Sequence, residues 1–158
     1  MVSDRKLRND IATLKDLGQR CFTGRQRFSF YGYLAGAFEL YERLRRNSEA
    51  HKAAQRIRRL GRLPSSRSTH LVRTILDATS SADDKTKSRW TRALRFAWHE
   101  RRRWKDFEKF LRQNSGPAGC ADKFAALHTK PLKGYVTYRT PGYQVPLYVH
   151  QSVWPLGK

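Results

Sequence analysis

Acidic side chains are scarce in this chain: 13 Asp and Glu stand against 33 Lys and Arg in 158 residues, a formal net charge of +20. A body so charged repels itself until an anion neutralises it, which points away from cationic ligands and towards a polyanion. Cysteine is nearly missing too. Cys21 and Cys120 stand far apart with no paired His, so neither a disulfide framework nor a zinc knuckle is built here, and both are read as reduced and structural. No long apolar run exists, because the best stretch, Phe28 to Leu44, is interrupted by Ser29, Glu39, Glu42 and Arg43, which excludes a membrane span. The first residues, Met1 to Lys6, lack the apolar core of a signal peptide, and Asp4, Asp10 and Asp16 argue against an acid-poor transit peptide. A cytoplasmic location is expected, nucleoid-associated if the source is bacterial. Internal repeats and low-complexity linkers are missing as well.

What is present suits a folded, basic protein. Hydrophobic residues at 39% and aromatics at 12% exceed what a solvated tail carries, and the mean hydropathy of −0.78 leaves little for lipid. One domain is the default at this length, with a core that needs no disulfide. The positive charge is spread along the whole chain rather than gathered in a tail. Arg outnumbers Lys 22 to 11, and the guanidinium fork grips phosphate bidentately where an ammonium acts as a point charge.

Hydrophobic spacing predicts helices. Leu7, Ile11, Leu14 and Leu17 mark one over 5–19, opened by Ser3 or Asp4 and ended near Gly18. Phe30, Tyr33, Leu34, Ala37, Phe38, Tyr41 and Leu44 mark an amphipathic core helix from about Ser29 to Arg46. A third fits Ser48 to Leu60, closed by Gly61, and a short one fits Thr69 to Thr79. The longest runs from Asp84 to Gln113, capped by Asp83 or Ser81 and stopped by Asn114-Ser-Gly-Pro117. Pro117 to Leu127 allows one more. Tyr143, Val145, Leu147 and Val149 alternate, so the segment from Tyr135 onward, turning at Pro141-Gly142, predicts a β-hairpin with its Pro146 strand at an edge.

At 100° per residue the long helix separates two faces. Trp90, Ala93, Leu94, Ala97, Trp104 and Leu111 share one sector. Lys85, Arg89, Arg92, Arg95, His99, Arg102, Arg103 and Lys109 form a basic strip for phosphate on the other, interrupted by Asp106. Arg101 breaks the apolar sector, either as a snorkelling side chain or at a kink around Glu100 to Arg103. Nearer the start, Phe28 and Tyr31 interleave with Arg25 and Arg27, the mixture that single-strand and RNA binders use for stacking. Core packing is the competing explanation for these aromatics.

One segment carries a resemblance. Ala53 to Leu76, with Leu60-Gly61, Ser66-Arg67-Ser68-Thr69 and Val72-Arg73-Thr74-Ile75-Leu76, resembles the helix-turn-helix of resolvases, transposases and small repressors. It departs at Arg62-Leu63-Pro64-Ser65, which lengthens the turn by about three residues. The resemblance implies a left-handed helix exit at Gly61, a second helix capped by Ser66 or Ser68, and base-reading by Arg67, Ser68, Thr69, His70 and Arg73. It also implies a site-specific regulator or architectural factor of a mobile element or plasmid.

Catalytic patterns fare poorly. Asp83-Asp84-Lys85-Thr-Lys87 resembles the acidic-plus-Lys clusters of metal nucleases, but two Asp at a helix start serve as cap and dipole partners. His99-Glu100 lacks the second His of a zinc protease, and Gly116-Pro-Ala-Gly119 is a helix boundary, not a phosphate loop. No catalytic residue, metal ligand or cofactor is expected. The chain is thus expected to be mostly α, a multi-helix domain over 1–128 with one long basic helix, followed by a small C-terminal hairpin over 129–158. The expected function is non-enzymatic binding of nucleic acid, with double-stranded DNA favoured over RNA. An RNA-binding, ribosome-associated protein is one alternative. An interaction protein docking its basic face on an acidic or nucleoprotein partner is the other.

Overall fold

Leu7, Ile11 and Leu14 are buried along one side of helix α1 (Asp4–Thr23), as their spacing requires. The computed structural model describes residues 3–23, 30–46, 50–64 and 70–129. After α1 come α2 (Phe30–Arg46), α3 (Ala50–Leu60), α4 (Leu71–Thr79), α5 (Asp84–His99), a 3-10 turn (Trp104–Asp106), α6 (Phe107–Gln113) and α7 (Gly116–His128). The described residues are mostly helical and include no strand. The chain divides into two units, Met1–Leu127 and His128–Lys158, and the packing below belongs to the first. The expected C-terminal hairpin lies outside the described residues, and no described helix is long and apolar enough to cross a membrane.

Two helices form the centre. The apolar residues of α2 reach almost around its circumference, and it packs against α1, α3, α4, α5 and α6. Its Tyr33, Leu34, Ala37, Phe38 and Tyr41 are nearly or wholly inaccessible, each large one stabilising the fold by about 1.5–3 kcal/mol. The second central helix is α4, against which α1, α2, α3 and α5 all pack. Thr79 at its end donates its hydroxyl proton to the Ile75 carbonyl at 2.7 Å. Tyr33, 2.8 Å from the same oxygen, is therefore the donor of that buried bond. Burial pushes the Tyr33 phenol up to about 12, so it keeps its proton.

The expectation that α1 ends near Gly18 is corrected, because the helix continues to Thr23. Gly18 is small for a tertiary reason: a Cβ there would lie 2.7 Å from the Thr79 carbonyl oxygen and 3.3 Å from the Tyr33 ring. Propensity cannot report such a crossing point.

The expected single helix over 84–113 is also corrected. It breaks after His99, where Arg101 takes a left-handed backbone with φ 53°. The Arg102 N–H donates to the Ala97 carbonyl and the Arg101 N–H to Trp98, both at 3.0 Å, closing α5 with a Schellman pair. The reversal lets Phe107 stack on Phe38, centroids 4.8 Å apart, and lets Phe110 meet Phe96 at 5.6 Å. An unbroken helix would carry Phe107 and Phe110 away from that core. The end of α3 is built alike: Leu63 N–H donates to Arg58 O, Arg62 N–H points to Arg59 O, and Arg62, not Gly61, is left-handed at φ 51°. Gly61 instead admits α4, since a Cβ there would sit 3.3 Å from the Ala78 methyl.

Candidate nucleic-acid interface

Helix α5 starts where the sequence places its cap. Asp83 accepts hydrogen bonds from the Thr86 N–H at 2.9 Å and the Thr86 hydroxyl at 2.7 Å. These bonds hold its carboxyl below the usual carboxylate range. Trp90, Ala93, Leu94 and Ala97 are buried, which turns Lys85, Arg89, Arg92 and His99 to the exposed side. Arg95 is half-buried, its guanidinium 4.7 Å from the centre of the Phe124 ring. From Lys85 to Arg95 the strip rises about 15 Å along the helix axis.

Ion pairing divides the cations into two sets. On the α1 and α3 side, Arg56 and Arg59 pair with Asp4, Arg43 with Asp10, Arg20 with Asp16 and Arg46 with Glu42. At the start of α5, Arg73 pairs with Asp77 and Asp84, and Lys87 with Asp77. Lys85, Arg89, Arg92, Arg95, Arg102, Arg103 and Lys109 are paired with no carboxylate among the described residues. Like charges three or four residues apart on one helix repel by a few tenths of a kcal/mol per pair. A face that keeps them uncompensated is suited to a partner that brings the anions.

Two sets of residues that the sequence assigns to different roles meet in one place. His70 and Arg73 from the base-reading set, and Arg92 and Arg95 from the phosphate set, line a cleft of about 260 Å³ between α4 and α5 together with Ser88 and Thr91. Arg73 reaches both Asp77 oxygens at 3.0 and 3.1 Å, Asp84 at 2.6 Å and the Ser88 hydroxyl at 2.9 Å. Burial first, then the charges of Arg95 and Arg45, push the His70 imidazole down to about 4, so it is neutral at physiological pH. Its Nδ1 is buried without a hydrogen-bond partner. Ser88 and Thr91 were not singled out from sequence. The signal was their position one helical turn before Arg92 and Arg95, on the same face.

Beyond the break, Arg102 and Lys109 line a second cleft of about 230 Å³ with Asp106, Phe110 and Gln113. Arg102 lies 5.4 Å from the centre of the Phe110 ring, and Arg103 is exposed nearby. The strip expected as one line is therefore two patches.

Other expected sites are not assembled. Tyr31 is 5% exposed, its ring edge-on to Phe30 at 4.8 Å and under Arg112 at 5.6 Å, so it is a core residue and not a stacking platform. Its partners in that expectation, Arg25, Arg27 and Phe28, lie outside the described residues, as do Arg67, Ser68 and Thr69. Within the segment 53–76, residues 53–60 belong to α3 and 71–76 to α4, and every residue of α4 is buried or half-buried. In this packing the side chain of Arg73 is 20% exposed and is held by Asp77 and Asp84. His70 precedes α4 at its N-terminal boundary without a side-chain cap bond.

No three His, Cys, Asp or Glu side chains among the described residues gather into a group that could hold a metal ion. Cys120 is buried, which pushes its thiol up to about 11, and Cys21 is half-buried. Comparison with protein-family models, with curated proteins and with solved structures finds no match to this chain.

Proposed function

We propose that this chain is a non-enzymatic nucleic-acid-binding protein that holds duplex DNA by its phosphate backbone, as a regulator or architectural factor. One observation carries this: the outer face of α5 keeps Lys85, Arg89 and Arg92 exposed, in one line along the helix and unpaired with any described carboxylate, whereas Arg43, Arg56 and Arg73 are paired internally. Such a face exchanges condensed counterions for protein cations when it meets a phosphate array. Two features favour duplex DNA over single strands and RNA. The exposed large apolar residues among those described are Leu17 and Leu127, and neither offers a ring on which an unpaired base could stack. A straight cationic helix also suits the wide major groove and flanking phosphates of B-form DNA better than the narrow, deep groove of A-form RNA.

Competition among matched duplex DNA, duplex RNA and single-stranded probes across a salt series tests this. Duplex DNA is expected to bind tightest at every salt concentration. Preference for duplex RNA or single strands would move the protein into the RNA-binding class. Binding to none of them at physiological salt would favour an acidic protein partner.

A further inference from the structure

We propose that the cleft between α4 and α5 is the seat of one phosphate group, the fixed point at which a nucleic acid is registered on the α5 face. This deepens the nucleic-acid reading and rests on it. The cleft holds two guanidinium groups, of Arg92 and Arg95, that no described carboxylate offsets, whereas the third, of Arg73, is neutralised by Asp77 and Asp84. Arg73 is a positioning residue: pinned by those two carboxylates, it donates from Nη1 to the Ser88 oxygen. The Ser88 hydroxyl proton is then left to point at a ligand, while the Thr91 hydroxyl is committed to the Lys87 carbonyl at 2.8 Å. The nine-residue helix α4 begins at the cleft, and the positive end of its dipole adds to the attraction.

His70 supports the same ligand. It lines the same cleft, and burial first, then the charges of Arg95 and Arg45, keep its ring neutral, so it brings no charge of its own beside the two free guanidinium groups. The volume of about 260 Å³ takes a phosphate with several waters, given about 30 Å³ per water. The second basic cleft differs, because Asp106 stands among Arg102 and Lys109 and repels an anion.

The shared chemistry is a tetrahedral phosphate oxyanion, from an internal diester or from a strand end. The direct probe is inorganic phosphate, titrated into the full chain at constant ionic strength while backbone amide shifts are followed by NMR. Saturable shifts confined to His70–Arg73 and Ser88–Arg95, weakened about tenfold or more in Arg92→Ala as expected for loss of a charge-assisted bond, support the seat. Shifts spread evenly over all arginines, or unchanged by Arg92→Ala, overturn it. Because Arg92 is exposed, the variant should fold, and its circular dichroism checks this.

The second arm uses a short DNA duplex with and without a 5′-phosphate. A preference for the phosphorylated duplex that disappears in Arg92→Ala assigns the seat to a strand end. Equal affinity for both, lost more in Arg92→Ala than in Arg89→Ala, assigns it to the backbone. Equal losses in Arg92→Ala and Arg89→Ala overturn the seat and leave a diffuse cationic face. Phosphate binding in the cleft with no duplex binding overturns the nucleic-acid reading but not the site.

Discussion

The guanidinium of Arg73 lies 2.6 Å from the carboxylate of Asp84, joining helix α4 to the first turn of α5. The same group reaches Asp77 one turn along its own helix, so Arg73, expected from sequence to read bases, is part of how two helices are locked. Its side chain is only 20% exposed, whereas that of Asp84 is 90% exposed. Arg73→Ala should therefore destabilise the fold by about 1–3 kcal/mol, as loss of charged hydrogen bonds does. Asp84→Asn should cost less than about 1 kcal/mol, as for an exposed pair. Urea unfolding measures both. An Arg73→Ala protein of unchanged stability that discriminates less between DNA sequences would favour the base-reading role over the structural one.

The break between α5 and α6 gives a prediction of opposite signs. Arg101 is left-handed, a conformation that costs an L-residue roughly 1–2 kcal/mol relative to glycine. Arg101→Gly should raise stability by about 0.5–1 kcal/mol. In an unbroken helix the same change would lower it by about 1 kcal/mol. The sign of the shift in the denaturation midpoint distinguishes the two structures.

Gly18 sits where α1 crosses α2 and α4, with 2.7 Å between its virtual Cβ and a backbone oxygen of Thr79 that cannot swing away. Gly18→Ala should destabilise by about 1–3 kcal/mol through overpacking. A gain, the usual result of Gly→Ala inside a solvated helix, would show that the helices do not approach so closely.

His70 makes stability depend on pH. Tyr41 faces it at 6.4 Å, and Arg45, Arg73, Arg92 and Arg95 surround it. With the folded value near 4 and the unfolded imidazole near 6.5, the unfolded chain takes up a proton first as pH falls through that window. Stability should therefore decline from pH 6.5 towards 4. The carboxyls of Asp4 and Asp83 are held low, so their contribution is lost only at more acid pH, below about 3.8. The melting temperature should drop between pH 7 and 5 in the wild type and drop less in His70→Gln. Parallel curves would contradict the half-buried neutral imidazole.

Much of the helical order was legible, and the reasons for the exceptions are physical. Apolar spacing located α2, and Asp83 marked the start of α5, because burial of one face and capping are local patterns. Arg101 was legible as a disturbance, but whether it snorkels or ends the helix is decided by what Phe107 and Phe110 gain by folding back onto Phe38 and Phe96, contacts between residues distant in sequence. The basic face of α5 was readable from its own period. Its meeting with His70 and Arg73 was not, since this depends on the packing of α4 against α5. Tyr31 could not be separated from an exposed stacking residue until its neighbours were known.

The salt dependence of duplex DNA binding by the wild type and by a Lys85→Ala, Arg89→Ala, Arg92→Ala triple variant tests the central claim most directly. All three positions are exposed and unpaired with described carboxylates, so the variant should fold. If the outer face of α5 holds the backbone, the slope of log K against log salt should flatten by about three and affinity should fall alike on all sequences. An unchanged slope with unchanged affinity would remove this helix from the interface.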